Sequence, residues 1–125
     1  MTKKILIIDD DRIFSKILRD GIITGGMGKY EVVSAFDGEE GLTVAEKEKP
    51  DLVMLDLVMP KLGGIETLKK LRAEEWGKDI PVIVETQLSD IVSMGEGIAL
   101  GVRGYFVKTD YSLEDILKQI SDVIG

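Results

Sequence analysis

Four short apolar runs in this chain each end in residues suited to polar chemistry. Ile5 to Ile8 runs into Asp9-Asp10-Asp11, and the run closing at Leu55 meets Asp56. The run closing at Val84 meets Glu85-Thr86, and the run closing at Val107 meets Lys108. The chain has no His and no Cys, which excludes Ser-His-Asp and Cys-His catalysis, zinc-thiolate and iron–sulfur sites, and a phosphohistidine on this chain. What remains is carboxylate, hydroxyl and ammonium chemistry, or a bound hard metal. If Asp9, Asp10 and Asp56 converge they carry −3, Lys108 returns one unit, and a single Mg²⁺ balances the rest. Each acid alone has a plainer reading as a turn residue or helix cap. The conjunction at four run ends is what points to a site.

The elements that would position these residues can be read from periodicity. Apolar runs lie at Lys4–Ile8, Tyr30–Ser34, Asp51–Leu55, Ile80–Val84 and Gly104–Val107, all rich in Ile, Val or aromatics and bounded by Gly, Pro, Asp or Lys. The first, third and fourth are continuously apolar, as strands buried on both faces of a parallel sheet are. The second alternates and suits an edge. Helical spacing fills the intervals: Ile13, Ile17, Leu18 and Ile22; Leu42 and Ala45; Ile65, Leu68 and Leu71 with Arg72 outside; Ile91, Met94 and Ile98; and Leu113, Ile116, Leu117, Ile120 and Ile124. Asp37, Ser89-Asp90 and Ser112 supply start signals. Strand and helix alternate five times, which predicts a doubly wound three-layer α/β sandwich occupying residues 1–125 as one domain. In such sheets ligands bind beyond the carboxyl ends of the strands, where the acids, Thr86 and Lys108 fall.

Composition adds exclusions. The chain has 125 residues with 16 basic and 23 acidic side chains, a formal charge of −7, so a phosphate backbone or anionic membrane is repelled. No stretch nears the roughly 20 apolar residues that span a bilayer, and no signal segment is evident, so a cytoplasmic protein is expected. Gly25-Gly-Met-Gly28 follows a helix and precedes a strand, the reverse of a phosphate-binding loop, and reads as a turn.

Over nearly its full length the chain resembles the response-regulator receiver domain of two-component signalling. The segments that carry the resemblance are Ile5-Leu-Ile-Ile-Asp-Asp-Asp11, Asp51-Leu-Val-Met-Leu-Asp-Leu-Val-Met-Pro60 with Gly64, Ile80-Pro-Val-Ile-Val-Glu-Thr86, and Gly104-Tyr-Phe-Val-Lys108. The resemblance implies a flavodoxin-like sheet of strand order 2-1-3-4-5 with five helices. It implies Asp56 as acceptor of a phosphoryl group from a histidine kinase or phosphotransfer protein. Mg²⁺ would be held by Asp10, Asp56 and the Val58 carbonyl, with Asp9 directly or through water. Lys108 would neutralise charge on the transferred oxygens, and Thr86 with Tyr105 would form the switch. Output would pass through a face made by the fourth helix, fifth strand and fifth helix, to a protein target or a phosphorylation-dependent homodimer. The chain would be a signalling domain and not an enzyme, with no direct nucleic-acid or membrane ligand.

Several residues depart from the family's pattern. Thr109 follows Lys108 where a Pro, often cis, is usual; a cis bond without Pro costs about 2.5–4 kcal/mol, so a trans bond is expected. Glu85 stands where an apolar residue is usual, and is read either as a rim charge or as a solvated or capping group. Gln87 replaces a small residue, and Gly63-Gly64 replaces an Asp-Gly-like pair, which should only loosen that turn. Val58 and Leu88 flank the expected path of attacking water and cannot orient it, which predicts slow self-dephosphorylation. Two rivals use the same rim: a flavodoxin-like small-molecule binder, which needs donors in place of acids, and an aspartyl-nucleophile phosphatase, which needs a second acid near Asp56.

Overall fold

A computed structural model describes residues 2–86, 95 and 98–125 of the chain. In chain order the elements are β1 (Lys3–Ile8), α1 (Arg12–Gly25), β2 (Tyr30–Ala35), α2 (Gly38–Glu48), β3 (Leu52–Asp56), α3 (Gly64–Ala73), β4 (Val82–Thr86), β5 (Gly104–Val107) and α4 (Leu113–Ile124). The strands form one parallel sheet in the order β2-β1-β3-β4-β5, the expected flavodoxin-like topology. Here α4 is the helix that the sequence counts as fifth. The helix expected around Ile91, Met94 and Ile98, with its Ser89-Asp90 start, lies largely outside the described residues, as do Gln87 and Leu88.

Continuous apolar strands let the sheet be covered on both sides. One core joins Ile5, Ile7, Leu52, Met54, Ile83 and Phe106 to Leu18 and Ile22 of α1 and Ile116 and Ile120 of α4. The other joins Leu6, Ile8, Val53, Leu55, Val82 and Val84 to Ala45 of α2 and Leu68 and Leu71 of α3. Alternate residues of each strand thus go to opposite cores, as the two-residue strand period requires. β2 is an edge, with Tyr30 and Val32 inward and Glu31 exposed, as its alternation predicts. Two strand boundaries fall later than expected. β3 starts after Asp51, whose carboxylate instead accepts from the Lys4 amide at 2.8 Å, and β4 starts after Pro81, which has no N–H for a ladder. The shift makes Asp56, Glu85 and Thr86 the closing residues of their strands.

The first helix departs from its predicted face. Ile13 and Ile17 were expected inside, but they are 76% and 52% exposed, and Ser15, Leu18 and Ile22 are buried with Phe14 packed beside them. Phase explains it: Asp11 caps the helix by accepting from the Phe14 amide at 3.0 Å, which turns the Phe14-Leu18-Ile22 stripe toward the sheet. Gly21 and Gly25, on the side facing α4, leave room for Leu113 and Leu117. Asp37 caps α2 through the Glu40 amide and Ser112 caps α4 through the Asp115 amide, both as predicted. Arg72, expected to point outward, instead folds over the amino-terminal end of the sheet and donates to the carbonyls of Gly77, Ile80 and Leu100.

Candidate functional site

Strand register sets the polar residues side by side. Ile8 pairs with Leu55 and Asp56 with Glu85, which in turn pairs with Phe106. Asp9, Asp56 and Glu85 therefore stand in one row across β1, β3 and β4, on the face that also carries Ile7, Met54 and Ile83. Adjacent strands are about 4.8 Å apart, so three carboxylates become immediate neighbours. Their oxygens lie within 4.8 Å of one another, and all three residues are buried. Glu85 is fully buried, at 0% exposure. The solvated or capping reading of Glu85 therefore fails: the side chain lies in the row with Asp9 and Asp56.

Lys108 leans back over this row from just beyond β5. Its Nζ is 3.0 Å from Asp9 Oδ2 and 3.4 Å from Asp56 Oδ2, and it sits 4.8 Å from the centre of the Phe14 ring. No peptide bond among the described residues is cis, so Lys108-Thr109 is trans as expected. The Lys108 amide donates to the Thr86 carbonyl at 3.0 Å, which fixes the backbone, while Phe14 supplies a wall for the ammonium. Phe14 is itself held by Phe106 and by an edge-on contact with Tyr111 at 5.3 Å. Sequence reading missed Phe14; a ring three residues after the capping Asp11 was the available signal. Phe14→Leu is expected to lower stability by about 1–3 kcal/mol in urea unfolding, from lost ring pairs and the lost cation contact. A change within experimental error would show that the cluster contributes only bulk.

Charge in the row is divided unequally. Asp56 is pushed up to about 7, first by burial and then by the neighbouring charge of Asp9, against the Val58 amide and Lys108. Glu85 is raised well above the usual carboxylate range by burial, then by its hydrogen bond to Asp9 and the charges of Asp9 and Asp56. Asp9 goes the other way. Burial opposes its charge, but bonds from Glu85, the Asp11 amide and Lys108 outweigh that and hold it low. The Lys108 ammonium is disfavoured by burial, yet Asp9 and Asp56 raise it above the ordinary lysine value. Asp9 thus keeps its negative charge more readily than Asp56 or Glu85, and it faces the Lys108 ammonium. Among the described residues neither Glu85 oxygen meets a hydrogen-bond donor.

The other expected residues take varied positions. Val58 is 52% exposed, and its amide donates to Asp56 Oδ1 at 3.1 Å. Asp10 is exposed at the rim and outside the buried carboxylate group. Thr86 is buried at the end of β4, on the sheet face opposite Glu85. Tyr105 pairs in register with Val84 on Thr86's face and is 54% exposed. Gly64 does more than loosen its turn: a Cβ there would collide with the Asp56 carbonyl and the Leu57 Cα, while its amide donates to Leu57 O at 3.1 Å. Gly63 faces open space. Close approach of α3 to the end of β3 is what demands glycine at 64.

Hard oxygen donors, two of them on Glu85 without a hydrogen-bond donor among the described residues, together with a buried surplus of acidic groups, fit a divalent cation. None of the described helices is long and apolar enough to cross a membrane.

The model of the response regulator receiver domain matches residues 5–121. A probable transcriptional regulator, ycf27, of Porphyridium aerugineum is 40% identical over 98% of this chain and 48% of its own length. The alkaline phosphatase synthesis transcriptional regulatory protein PhoP of Bacillus subtilis is 39% identical over 86% of this chain and 43% of its own. This chain therefore spans about half the length of these curated relatives. Among solved structures, the chemotaxis protein CheY4 of Vibrio cholerae superposes with a TM-score of 0.88 at 30% identity, covering 98% of this chain and 99% of that one. Fold, family match and likeness to that chemotaxis protein agree: the chain belongs to the response regulator receiver domain family, whose members act with histidine kinases in two-component signalling.

Proposed function

We propose that this domain, formed by residues 1–125, is a phospho-accepting switch in which Asp56 takes a phosphoryl group from a kinase or phosphotransfer histidine. The observation that carries the reading is the setting of Asp56: last residue of β3, beside Asp9, 3.4 Å from the Lys108 ammonium and fixed by the Val58 amide. The Asp56 carboxylate attacks phosphorus, the phosphorus–nitrogen bond to the donor imidazole breaks, and its electron pair stays on that nitrogen, leaving an acyl phosphate. Lys108 moves from shared pairing with Asp9 and Asp56 toward the new phosphoryl oxygens. Asp9, Asp10, Asp56 and the Val58 carbonyl are the groups that would hold Mg²⁺. When bound, the ion supplies positive charge against the transferred oxygens, the main demand of phosphoryl transfer. Thr86 offers its hydroxyl to the phosphoryl group, and Tyr105, exposed in this structure, moves toward the space that Thr86 leaves. The signal then passes to a protein target, or a second copy, through the face beside β5 and the last helix.

The charge of −7 argues against direct contact of this domain with nucleic acid, and a cytoplasmic setting suits its kinase partner. Incubation with acetyl phosphate, with and without Mg²⁺, tests the proposal by intact mass. The expected result is one added phosphoryl group that requires Mg²⁺ and is absent in Asp56→Asn. Continuous phosphate release would favour the phosphatase reading, and no adduct would mean a receiver that signals without phosphate. Val58 is apolar and half exposed beside Asp56, so the adduct should decay slowly. Val58→Asn is expected to speed decay several-fold by orienting water, followed as loss of the mass adduct; an unchanged half-life counts against the assignment.

A further inference from the structure

Glu85 is the one carboxylate of the buried row to which the switch reading gives no task. It is fully buried, and its side chain lies on the same sheet face as Asp9 and Asp56, paired in register with Asp56. Lys108, the cation of the row, is engaged by Asp9 and Asp56 and forms no ion pair with Glu85 among the described residues. Among the described residues neither Glu85 oxygen meets an N–H or O–H donor, although both lie wholly out of solvent. Asp10 is exposed instead. A buried carboxylate without a donor, pressed against two others, is an arrangement that a cation would complete.

We propose that Glu85 is a ligand of the divalent cation, forming a three-carboxylate set with Asp9 and Asp56 that favours Mn²⁺ over Mg²⁺. The inference rests on Asp9 and Asp56 being cation ligands, as the switch reading has them. Formal charge supports it: the buried row alone, three carboxylates and Lys108, gives −3 + 1 = −2, which one divalent ion balances. The preference follows from hydration. Mg²⁺ parts with water reluctantly and is held through one or two carboxylates, keeping several waters. A row whose three acids are buried leaves little room for those waters, so an oxygen-seeking ion that dehydrates more readily gains.

Calorimetric titration of the whole chain with Mn²⁺ and with Mg²⁺, and Mn²⁺ paramagnetic resonance as a second readout, test the assignment. Wild type is expected to bind Mn²⁺ more tightly than Mg²⁺. Glu85→Gln and Glu85→Val should each weaken Mn²⁺ by about 10- to 100-fold and bring the two ions closer in affinity. Thermal melts of each variant establish that it is folded. If folded Glu85→Gln and Glu85→Val keep wild-type Mn²⁺ affinity, or exceed it, Glu85 is no ligand while the cation reading of Asp9 and Asp56 stands. If wild type binds neither ion, both readings fall together.

Discussion

Lys108→Met is expected to slow labelling of Asp56 by acetyl phosphate about 10²- to 10³-fold, the usual cost of losing one preorganised donor at a reacting centre. Lys108 is nearly buried, backed by the Phe14 ring and tied at its amide to Thr86, so its ammonium is already in place before the phosphoryl group arrives. Lys108 is the cation paired with Asp56. Met keeps the length and apolar stem, so the loss is of charge and not of packing against Phe14. Cation binding separates the effects. Removing the ammonium makes the row more negative, so Mn²⁺ affinity should hold or rise while the labelling rate falls. Labelling at wild-type rate would show that Lys108 serves the resting ion pair alone. Joint loss of labelling and cation binding would point to a collapsed site.

Asp56 and Lys108 were legible as neighbours at one rim because each sits where an apolar run stops, and in a parallel sheet that is the end at which ligands bind. The pairing of runs with helices followed from the same alternation, whereas the strand order came with the family resemblance. Glu85 was not legible in the same way. β4 is apolar at consecutive positions, so the sequence has no alternation from which to tell which face of the sheet Ile83 and Glu85 take. Only the register of Asp56 against Glu85 decides it. Phe14 was hidden for a related reason. The apolar residues of α1 make two overlapping stripes, one through Ile13 and Ile17 and one through Phe14, Leu18 and Ile22, and the Asp11 cap sets which of them turns inward. The requirement for glycine at 64 was hidden because it comes from a close approach to the Asp56 carbonyl and the Leu57 Cα, which the motif does not state.

The cation-free protein is expected to lose stability as pH rises from about 4 to 8, against the common pattern for acidic surfaces. Asp56 has its native value raised from 3.8 to about 7, so across that interval the folded state holds a proton that the unfolded state has released. Stability falls with rising pH wherever the native state binds more protons. The contribution of Asp56 is therefore complete below about 4 and is lost as pH passes through about 7. Glu85 is raised too and adds a loss of the same sign. Asp9 is lowered, so it acts oppositely, holding its contribution above 3.8 and losing it only in stronger acid. Together they place the optimum in mild acid, to be read by urea unfolding between pH 4 and pH 8. Glu85→Val removes one buried acid and continues the apolar face of Ile83 beside Phe106, so at pH 8 it should stabilise the chain by about 1–4 kcal/mol. It should also flatten the pH slope, and Asp56→Asn should flatten it further. Saturating Mn²⁺ should reverse the order of wild type and Glu85→Val, because only wild type offers the ion its third carboxylate. A Glu85→Val chain that is less stable than wild type at pH 8 without cation would mean that the buried acid is a structural keystone of the row, and the linkage drawn from its neighbours would be wrong.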